Sequence, residues 1–137
     1  MKIVADTNVL VSALIFPGGA PEAAYRLALE GRIELGTSSP LLTELGRVLT
    51  EKFGWDAQRA ESVVEQLLRV AELVEPTEVV AEIDADPADD RVLEAALAAG
   101  AEAIVSGDRH LLALGSWRGI RVVSPAAFER RPPTLLP

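Results

Sequence analysis

Four acidic residues in this sequence are placed where their carboxylates could meet at one site. They are Asp6, Glu44, Asp89 and Asp108. Carboxylates that point toward a common interior position without matching lysines or arginines repel one another strongly. Bound Mg²⁺ or Mn²⁺ relieves that repulsion, because both ions take carboxylate oxygens as ligands. The set therefore predicts a site for a divalent cation that activates water.

The elements that would position these acids alternate between short apolar runs and longer helical stretches. We predict strands over 2–5, 32–35, 102–106 and 120–123, a weak strand or loop over 79–83, helices over 9–16, 21–30, 39–53, 56–73, 86–99 and 108–114, and a last helical turn from 124. Strands that alternate with helices indicate an α/β fold with a mostly parallel sheet. Because no repeat or linker interrupts the pattern, we expect one domain over 1–130, followed by the proline-rich tail 131–137.

The carboxyl ends of parallel strands meet at one edge of a sheet, and ligands bind there in folds of this class. Asp6 stands directly after the first predicted strand, and Asp108 stands in the turn after the strand over 102–106. Asp89 lies in the first turn of its helix, at the end of the apolar stripe, and Glu44 flanks the stripe of another helix. Both helix starts belong to the same edge, so we expect the four carboxylates to converge.

Each acid also has a purely structural alternative. Asp6 and Asp108 could cap the helices that follow them. Asp89 could form a reciprocal cap with Asp86, and Asp90 could be a favourable charge at the helix N-terminus. Glu44 lies too far inside its helix to cap it, so its alternative is a solvated flank. Only the four acids taken together favour the metal site.

Composition excludes several other kinds of site. The 137 residues contain no cysteine and one histidine, which rules out disulfide scaffolds, cysteine-based metal sites and multi-histidine zinc sites. No apolar run approaches the roughly 18–20 residues of a membrane span. Residues 1–16 also lack the basic start and small-residue cleavage site of a signal peptide. We therefore expect a cytoplasmic protein with no membrane partner.

The formal net charge of −8 argues against attraction of nucleic acid to the whole surface. It does not exclude nucleic acid as a substrate, because divalent cations reverse the local sign of an acidic site. A metal-dependent nuclease remains compatible with this composition.

Five segments, in the right order, resemble the PIN-domain ribonucleases. Residues 3–10 (IVADTNVL) resemble the strand-D-T/S-N-V-L start of that family, and residues 38–45 (SSPLLTEL) its S-x-x-x-x-x-E-L segment. Residues 86–94 (DPADDRVLE) resemble DPxD(D/N)xxLE, and residues 96–101 (ALAAGA) and 104–109 (IVSGDR) resemble AxxxGA and IV-T/S-GD. The likeness extends to the short prokaryotic PIN proteins that are toxin components of toxin–antitoxin systems, relatives of the VapC toxins.

This resemblance implies a three-layer α/β/α sandwich with a sheet of about five strands in the order 3-2-1-4-5. It also implies an endoribonuclease that depends on Mg²⁺ or Mn²⁺ and cleaves single-stranded or structured RNA. A homodimer and a small antitoxin that covers the acidic cleft are the implied protein partners.

By position, the resemblance assigns roles to eight residues, and proximity adds three more. The catalytic and metal-binding set is Asp6, Glu44, Asp89 and Asp108, with Asp90 as an adjacent acid at the metal. Thr7, Asn8 and Ser106 match polar positions that orient ligands or substrate, and proximity suggests Arg109, with Arg91 and His110, as phosphate contacts. Relatives often read GD-x-D-L-L where residues 107–112 read GDRHLL, so His110 replaces an acid.

Two other functions remain as alternatives. A PIN-like domain could bind RNA or protein without turnover, although the single departure at His110 is too small to favour this. A phosphoryl-transfer enzyme of the haloacid dehalogenase or receiver type also carries an aspartate at a strand end. The first of these needs D-x-D, where this chain has Asn8, and both commonly use a late lysine, whereas no lysine follows Lys52.

Overall fold

The chain folds around a six-stranded sheet, and the computed structural model describes residues 1–83 and 86–130. In chain order the elements are β1 (Lys2–Ala5), α1 (Thr7–Ile15), α2 (Ala20–Leu29), β2 (Glu34–Ser38), α3 (Ser39–Glu51), α4 (Ala57–Val70), β3 (Ala71–Val74), α5 (Pro87–Ala99), β4 (Ala103–Val105), α6 (Arg109–Leu114), β5 (Ser116–Trp117), β6 (Ile120–Val123) and α7 (Pro125–Arg130). The tail 131–137 lies outside the described residues, and the domain boundary at residue 130 stays a prediction.

The strand order across the sheet is β3-β2-β1-β4-β6-β5. Five of these strands, β3, β2, β1, β4 and β6, are parallel to one another. Their arrangement is the expected order 3-2-1-4-5, with β6 as the fifth strand. The sixth strand, β5, was not expected. It pairs with β6 antiparallel across a two-residue turn in which Arg118 and Gly119 both have positive φ. Turns of this kind match the twist of a hairpin, but Arg is an unusual first residue for them. The sequence therefore indicates the β5–β6 hairpin only weakly.

Helices cover both faces of the sheet, which confirms the expected three-layer α/β/α arrangement. Alternate residues of β1 enter two different cores, because side chains alternate across a strand. Ile3 and Ala5 pack with residues of α1, α2, α3 and α4, whereas Val4 packs with residues of α5. On β2, a Cβ added at Gly36 would lie 3.0 Å from the Cβ of Ala99. Gly36 therefore allows α5 to approach the sheet closely.

Two elements, α4 and β2, have a boundary more than two residues away from the one expected from the sequence. The helix predicted over 56–73 ends at Val70, and the next four residues form β3. Leu67, Val70 and Val74 continue a helical spacing, but main-chain pairing with β2 makes the last of them part of a strand. The second strand runs over Glu34–Ser38 instead of 32–35, because β2 pairs with both β1 and β3. Of the alternatives for 79–83, the loop is correct.

None of the described helices combines the length and the apolar content needed to cross a bilayer.

Candidate active site

A cleft of about 100 Å³ opens at the carboxyl edge of the sheet. Five carboxylate side chains line it, and they come from the starts of α1, α5 and α6 and from the first half of α3. They are Asp6, Glu44, Asp86, Asp89 and Asp108. The structure thus places the four acids of the predicted set around one cleft, as the strand-end argument expected, and it adds a fifth. Their roles in catalysis and metal binding stay predictions.

Asp6 caps α1 and also faces the cleft, so its structural alternative and its position in the site are compatible. Its Oδ1 accepts a hydrogen bond from the N–H of Val9 at 2.8 Å. Its Oδ2 accepts a short hydrogen bond from the hydroxyl of Ser106. Burial raises the pKa of Asp6 and the charge of Asp108 adds to that rise, while the two hydrogen bonds oppose it.

Asp108 caps α6 through its Oδ1, which accepts hydrogen bonds from the N–H of His110 at 2.8 Å and of Leu111 at 3.3 Å. Partial burial would raise its pKa, but these amides and a hydrogen bond shared with Asp89 outweigh it and lower the pKa. Its own N–H donates to the Oγ of Ser106 at 2.9 Å. Ser106 is fully buried, and its hydroxyl links two acids of the site through these hydrogen bonds. Its predicted role in orienting ligands or substrate stays untested.

Asp86, Asp89 and Asp108 form the tightest group of the cleft. One carboxylate oxygen from each lies within 4.8 Å of the others. Asp89 is only 7% exposed, and its Oδ2 has no hydrogen-bond donor among the described residues. Burial, followed by the hydrogen bond to Asp108 and the charges of the neighbouring acids, raises the pKa of Asp89 to about 7. Without a cation, Asp89 therefore keeps its proton below about pH 7.

For Asp86 the sequence pattern indicates only a helix cap, whereas the structure also places it in the cleft wall. It does cap α5, because its Oδ1 accepts a hydrogen bond from the N–H of Ala88 at 3.1 Å. Asp86 and Asp89 stand at the N-cap and the third position of one helix, and this spacing brings the two side chains to the same helix end. That spacing was the available signal that the cap also faces the site.

Glu44 lines the cleft from α3 but does not belong to the tight group. Its Oε1 accepts a hydrogen bond from Nη2 of Arg47 at 2.9 Å, and Nη1 of Arg47 binds Oε2 of Glu51 at the same distance. The side chain of Glu44 is one-third exposed. Glu44 therefore stands at the rim, with one oxygen engaged by a neighbour on its own helix.

Asp90 lies beside Asp89 in sequence but does not line the cleft. It is 4% exposed, and its Oδ1 accepts hydrogen bonds from two main-chain amides of the loop before α5, those of Glu82 at 3.0 Å and Ile83 at 2.9 Å. Its predicted role as an acid at the metal stays untested.

The predicted substrate contacts occupy different positions. Thr7 and Asn8 line the cleft next to Asp6, the first buried and the second exposed. Arg109 is exposed beside Asp108 and makes no ion pair within the described part of the chain, whereas His110 is half-buried. Arg91 is the one cation among the described residues of the cleft wall, and its Nε is 2.9 Å from Oε1 of Glu94. The cleft is therefore strongly negative.

The residues fit a hard divalent cation. Five carboxylates line the cleft, oxygens of three of them lie within 4.8 Å of one another, and the Oδ2 of Asp89 is a buried acceptor without a donor among the described residues. A buried acceptor of this kind needs a partner, and a cation is a suitable one. Mg²⁺ and Mn²⁺ prefer oxygen donors of this type.

Comparisons with known proteins agree with this geometry. Residues 2–110 match the family model described as PIN domain (PIN_3). A 46-residue segment is 46% identical to the uncharacterised protein MJ1680 of Methanocaldococcus jannaschii, and it covers 34% of this chain. The chain spans only 30% of the length of that relative.

Solved structures of low sequence identity share the fold. VapBC2 from Rickettsia felis, bound to a DNA fragment from its promoter, matches with a TM-score of 0.64 and 14% identity over 90% of this chain and 98% of that one. PAE2754 from Pyrobaculum aerophilum matches with a TM-score of 0.61 and 18% identity, over 95% and 87%. VapC20 of Mycobacterium tuberculosis, a sarcin-ricin loop cleaving toxin, matches with a TM-score of 0.57 and 21% identity, over 87% and 98%. With its mostly parallel sheet, its acidic cleft and a family match over most of its length, this chain belongs to the PIN-domain family.

Proposed function

We propose that this PIN-domain protein is a divalent-metal-dependent endoribonuclease that hydrolyses phosphodiester bonds of single-stranded or structured RNA. One observation carries the proposal. Acidic side chains that are distant in the sequence, from Asp6 to Asp108, converge on one cleft, and a buried carboxylate oxygen of Asp89 lacks a donor among the residues that the structure describes. A cluster of this kind is tolerable when a cation neutralises it, and metal-assisted hydrolysis is the chemistry that such a cation supports.

Asp86, Asp89 and Asp108 would hold the ion, because their oxygens already lie within 4.8 Å of one another. Mg²⁺ or Mn²⁺ bound there supplies the positive charge that activates water and stabilises charge on the phosphodiester. Asp6 keeps its carboxylate fixed in the cleft wall, since both of its oxygens accept hydrogen bonds from the chain. Glu44 can add its second oxygen from the rim.

Substrate binding needs cations and polar groups at the mouth of this negative cleft. Arg109 is suited to hold a phosphate, because it is exposed next to Asp108 and guanidinium groups bind phosphate oxygens in pairs. Thr7 and Asn8 lie beside Asp6 and can orient the backbone of the RNA. With a net charge of −8, the protein must bind RNA through such local groups.

We also propose that the chain is the toxin of a toxin–antitoxin pair and acts as a homodimer in the cytoplasm. Membership of the PIN family and the likeness of the fold to VapBC2 and VapC20 support this. A small antitoxin protein that covers the acidic cleft would then inhibit the enzyme.

The experiment is cleavage of single-stranded RNA in the presence of Mn²⁺, with and without EDTA. We expect the wild-type protein to cleave, and we expect EDTA or the substitutions Asp6→Asn and Asp89→Asn to abolish cleavage. Asp56→Asn is the matched control, because Asp56 caps α4 through the N–H of Arg59 and lies outside the cleft. Equal activity in all arms would refute the proposal.

The alternative of a binding module without turnover predicts a different result. Such a protein would bind RNA, and it would leave that RNA intact in Mn²⁺ at every concentration of protein. The engagement of Oε1 of Glu44 by Arg47 at the rim is the feature that favours it, whereas the single replacement of an acid by His110 is too small to do so. Cleavage that depends on Asp89 would exclude it.

A further inference from the structure

The segment 80–83 leads from β3 toward α5 and pairs with none of the described strands, yet four of its main-chain groups are hydrogen-bonded to side chains of α5. Glu94 accepts a hydrogen bond through Oε2 from the N–H of Val80 at 2.8 Å. Asp90 accepts two through Oδ1, from the N–H groups of Glu82 at 3.0 Å and Ile83 at 2.9 Å. Arg91 donates from Nη2 to the carbonyl of Val80 at 3.3 Å. Side chains of one helix thus take the place of an adjacent strand.

These side chains form a compact unit, which we call the α5 clamp: Asp90, Arg91 and Glu94. Asp90 and Glu94 are four residues apart, so they lie on the same face of the helix. Both are buried, and Arg91 neutralises part of their charge through its contact with Glu94. Buried carboxylates are retained at such positions when amide donors and a cation satisfy them.

The clamped segment is also anchored by its side chains. Val80 is 4% exposed and Ile83 is 7% exposed, and both pack in the same core as Val92 and Leu93 of α5. The amide bonds of Val80 and Ile83 are buried, so these two N–H groups depend on the carboxylates of Glu94 and Asp90 as acceptors. The path of the main chain here depends on the clamp.

We infer that Asp90 is a positioning residue that fixes segment 80–83 against α5, the helix whose N-cap is Asp86. Ile83 stands three residues before Asp86, which belongs to the tight carboxylate group of the cleft. Asp90 itself does not line the cleft, and its Oδ1 is engaged by two amides. The effect on the metal rests on the proposed function, whereas the hold on segment 80–83 does not.

The two roles of Asp90 can be separated by substitution, because a clamp needs an acceptor and a metal ligand needs a charge. Asp90→Asn keeps the Oδ1 acceptor and removes the charge, and Asp90→Ala removes both. A positioning role therefore predicts that Asp90→Asn keeps the segment in place and binds Mn²⁺, whereas Asp90→Ala does neither as well. A ligand role predicts that both variants lose Mn²⁺ affinity.

The experiment combines amide hydrogen exchange with Mn²⁺ titration by calorimetry on the full chain. For Asp90→Asn we expect protection of the Glu82 and Ile83 amides to persist and the Kd for Mn²⁺ to rise by no more than about threefold, from the lost charge. For Asp90→Ala we expect exchange of these amides to be at least about tenfold faster, because their acceptor is gone. Asp89→Asn is the comparison that should weaken Mn²⁺ binding by well over tenfold, by loss of a ligand.

Two results would overturn the inference. One is a loss of Mn²⁺ affinity in Asp90→Asn as large as that in Asp89→Asn, and the other is unchanged exchange at 80–83 in Asp90→Ala. If the alanine variant does not fold, Asp90→Asn supplies both tests, because loss of protection at Glu82 and Ile83 although the Oδ1 acceptor is kept would equally overturn the inference. Failure of the wild-type protein to bind Mn²⁺ would count against the proposed function, and the exchange measurements would still decide the role of the clamp.

Discussion

The hydroxyl of Ser106 donates a hydrogen bond to Oδ2 of Asp6, and the two residues are one hundred positions apart in the chain. The same Oγ accepts a hydrogen bond from the N–H of Asp108 at 2.9 Å. One buried serine thus joins the acid at the end of β1 to the acid that follows β4. Its contribution can be tested directly.

Ser106→Ala removes this link and leaves a buried oxygen of Asp6 without a donor. We expect the free energy of unfolding to fall by about 1–3 kcal/mol, which is the usual cost of such a buried group. We also expect the pKa of Asp6 to rise further, because a hydrogen bond that lowers it is lost. Mn²⁺ binding should weaken as a result.

The measurements for Ser106→Ala are urea unfolding in EDTA and Mn²⁺ titration, with Ser106→Thr as the variant that keeps the hydroxyl. The threonine variant should recover the Mn²⁺ affinity even if its extra methyl group costs some stability. Wild-type affinity in the alanine variant would show that the hydroxyl does not position Asp6.

Asp89 should make the metal-free protein less stable at pH 8 than at pH 5. Its pKa is about 7 in the folded protein and near 3.8 in the unfolded chain, so the folded state binds more protons between these values. The stability that the protonated form contributes is therefore lost as the pH rises through about 7. The raised pKa of Asp6 acts in the same direction.

The comparison is the urea midpoint at pH 5 and pH 8 in EDTA, for the wild-type protein and for Asp89→Asn. We expect the fall in stability to be clearly smaller in the variant, which carries no charge at this position. Asp56→Asn should retain the wild-type difference, because Asp56 caps α4 away from the cleft. A pH dependence that is identical in all three proteins would contradict the raised pKa of Asp89.

Arg47→Gln should tighten Mn²⁺ binding about twofold, the effect expected from breaking one exposed ion pair on a helix. Arg47 now holds Oε1 of Glu44, so the substitution frees that carboxylate to turn toward the other acids. It also removes a positive charge near the cleft.

The control for Arg47 is Arg26→Gln, which breaks a comparable exposed pair with Glu22 on α2, where neither residue lines the cleft. Calorimetric titration should give an unchanged Kd for this control. Weaker binding in Arg47→Gln would mean that Arg47 holds Glu44 in the orientation that the metal requires.

The positions of Asp6 and Asp108 could be predicted because they depend on a simple rule. Each follows a strand, and the carboxyl ends of parallel strands share an edge. Both residues do cap helices, as their structural alternative predicted, and both also line the cleft. A single carboxylate has two oxygens, and one of them suffices for a cap.

The environment of Asp90 could not be predicted, because it depends on the path of the loop before α5. No hydrophobic period describes segment 80–83, whose main chain decides what the carboxylate meets. Similarly, the predicted end of α4 is wrong because the helical spacing of apolar residues continues into β3. Only the pairing of β3 with β2 shows where the helix ends and the strand begins. Both cases are long-range contacts that override a local pattern.

The pairing of β1 with β4 has a consequence for biosynthesis. Val4 lies opposite Ile104 in the sheet. The two central strands, β1 and β4, are therefore synthesised at widely separated times during translation. A nascent chain that has not yet emerged beyond residue 108 lacks both the serine bridge and one of the clustered acids. Contacts of such large sequence separation form late and slowly. The complete acidic cleft therefore cannot assemble until most of the domain has left the exit tunnel of the ribosome.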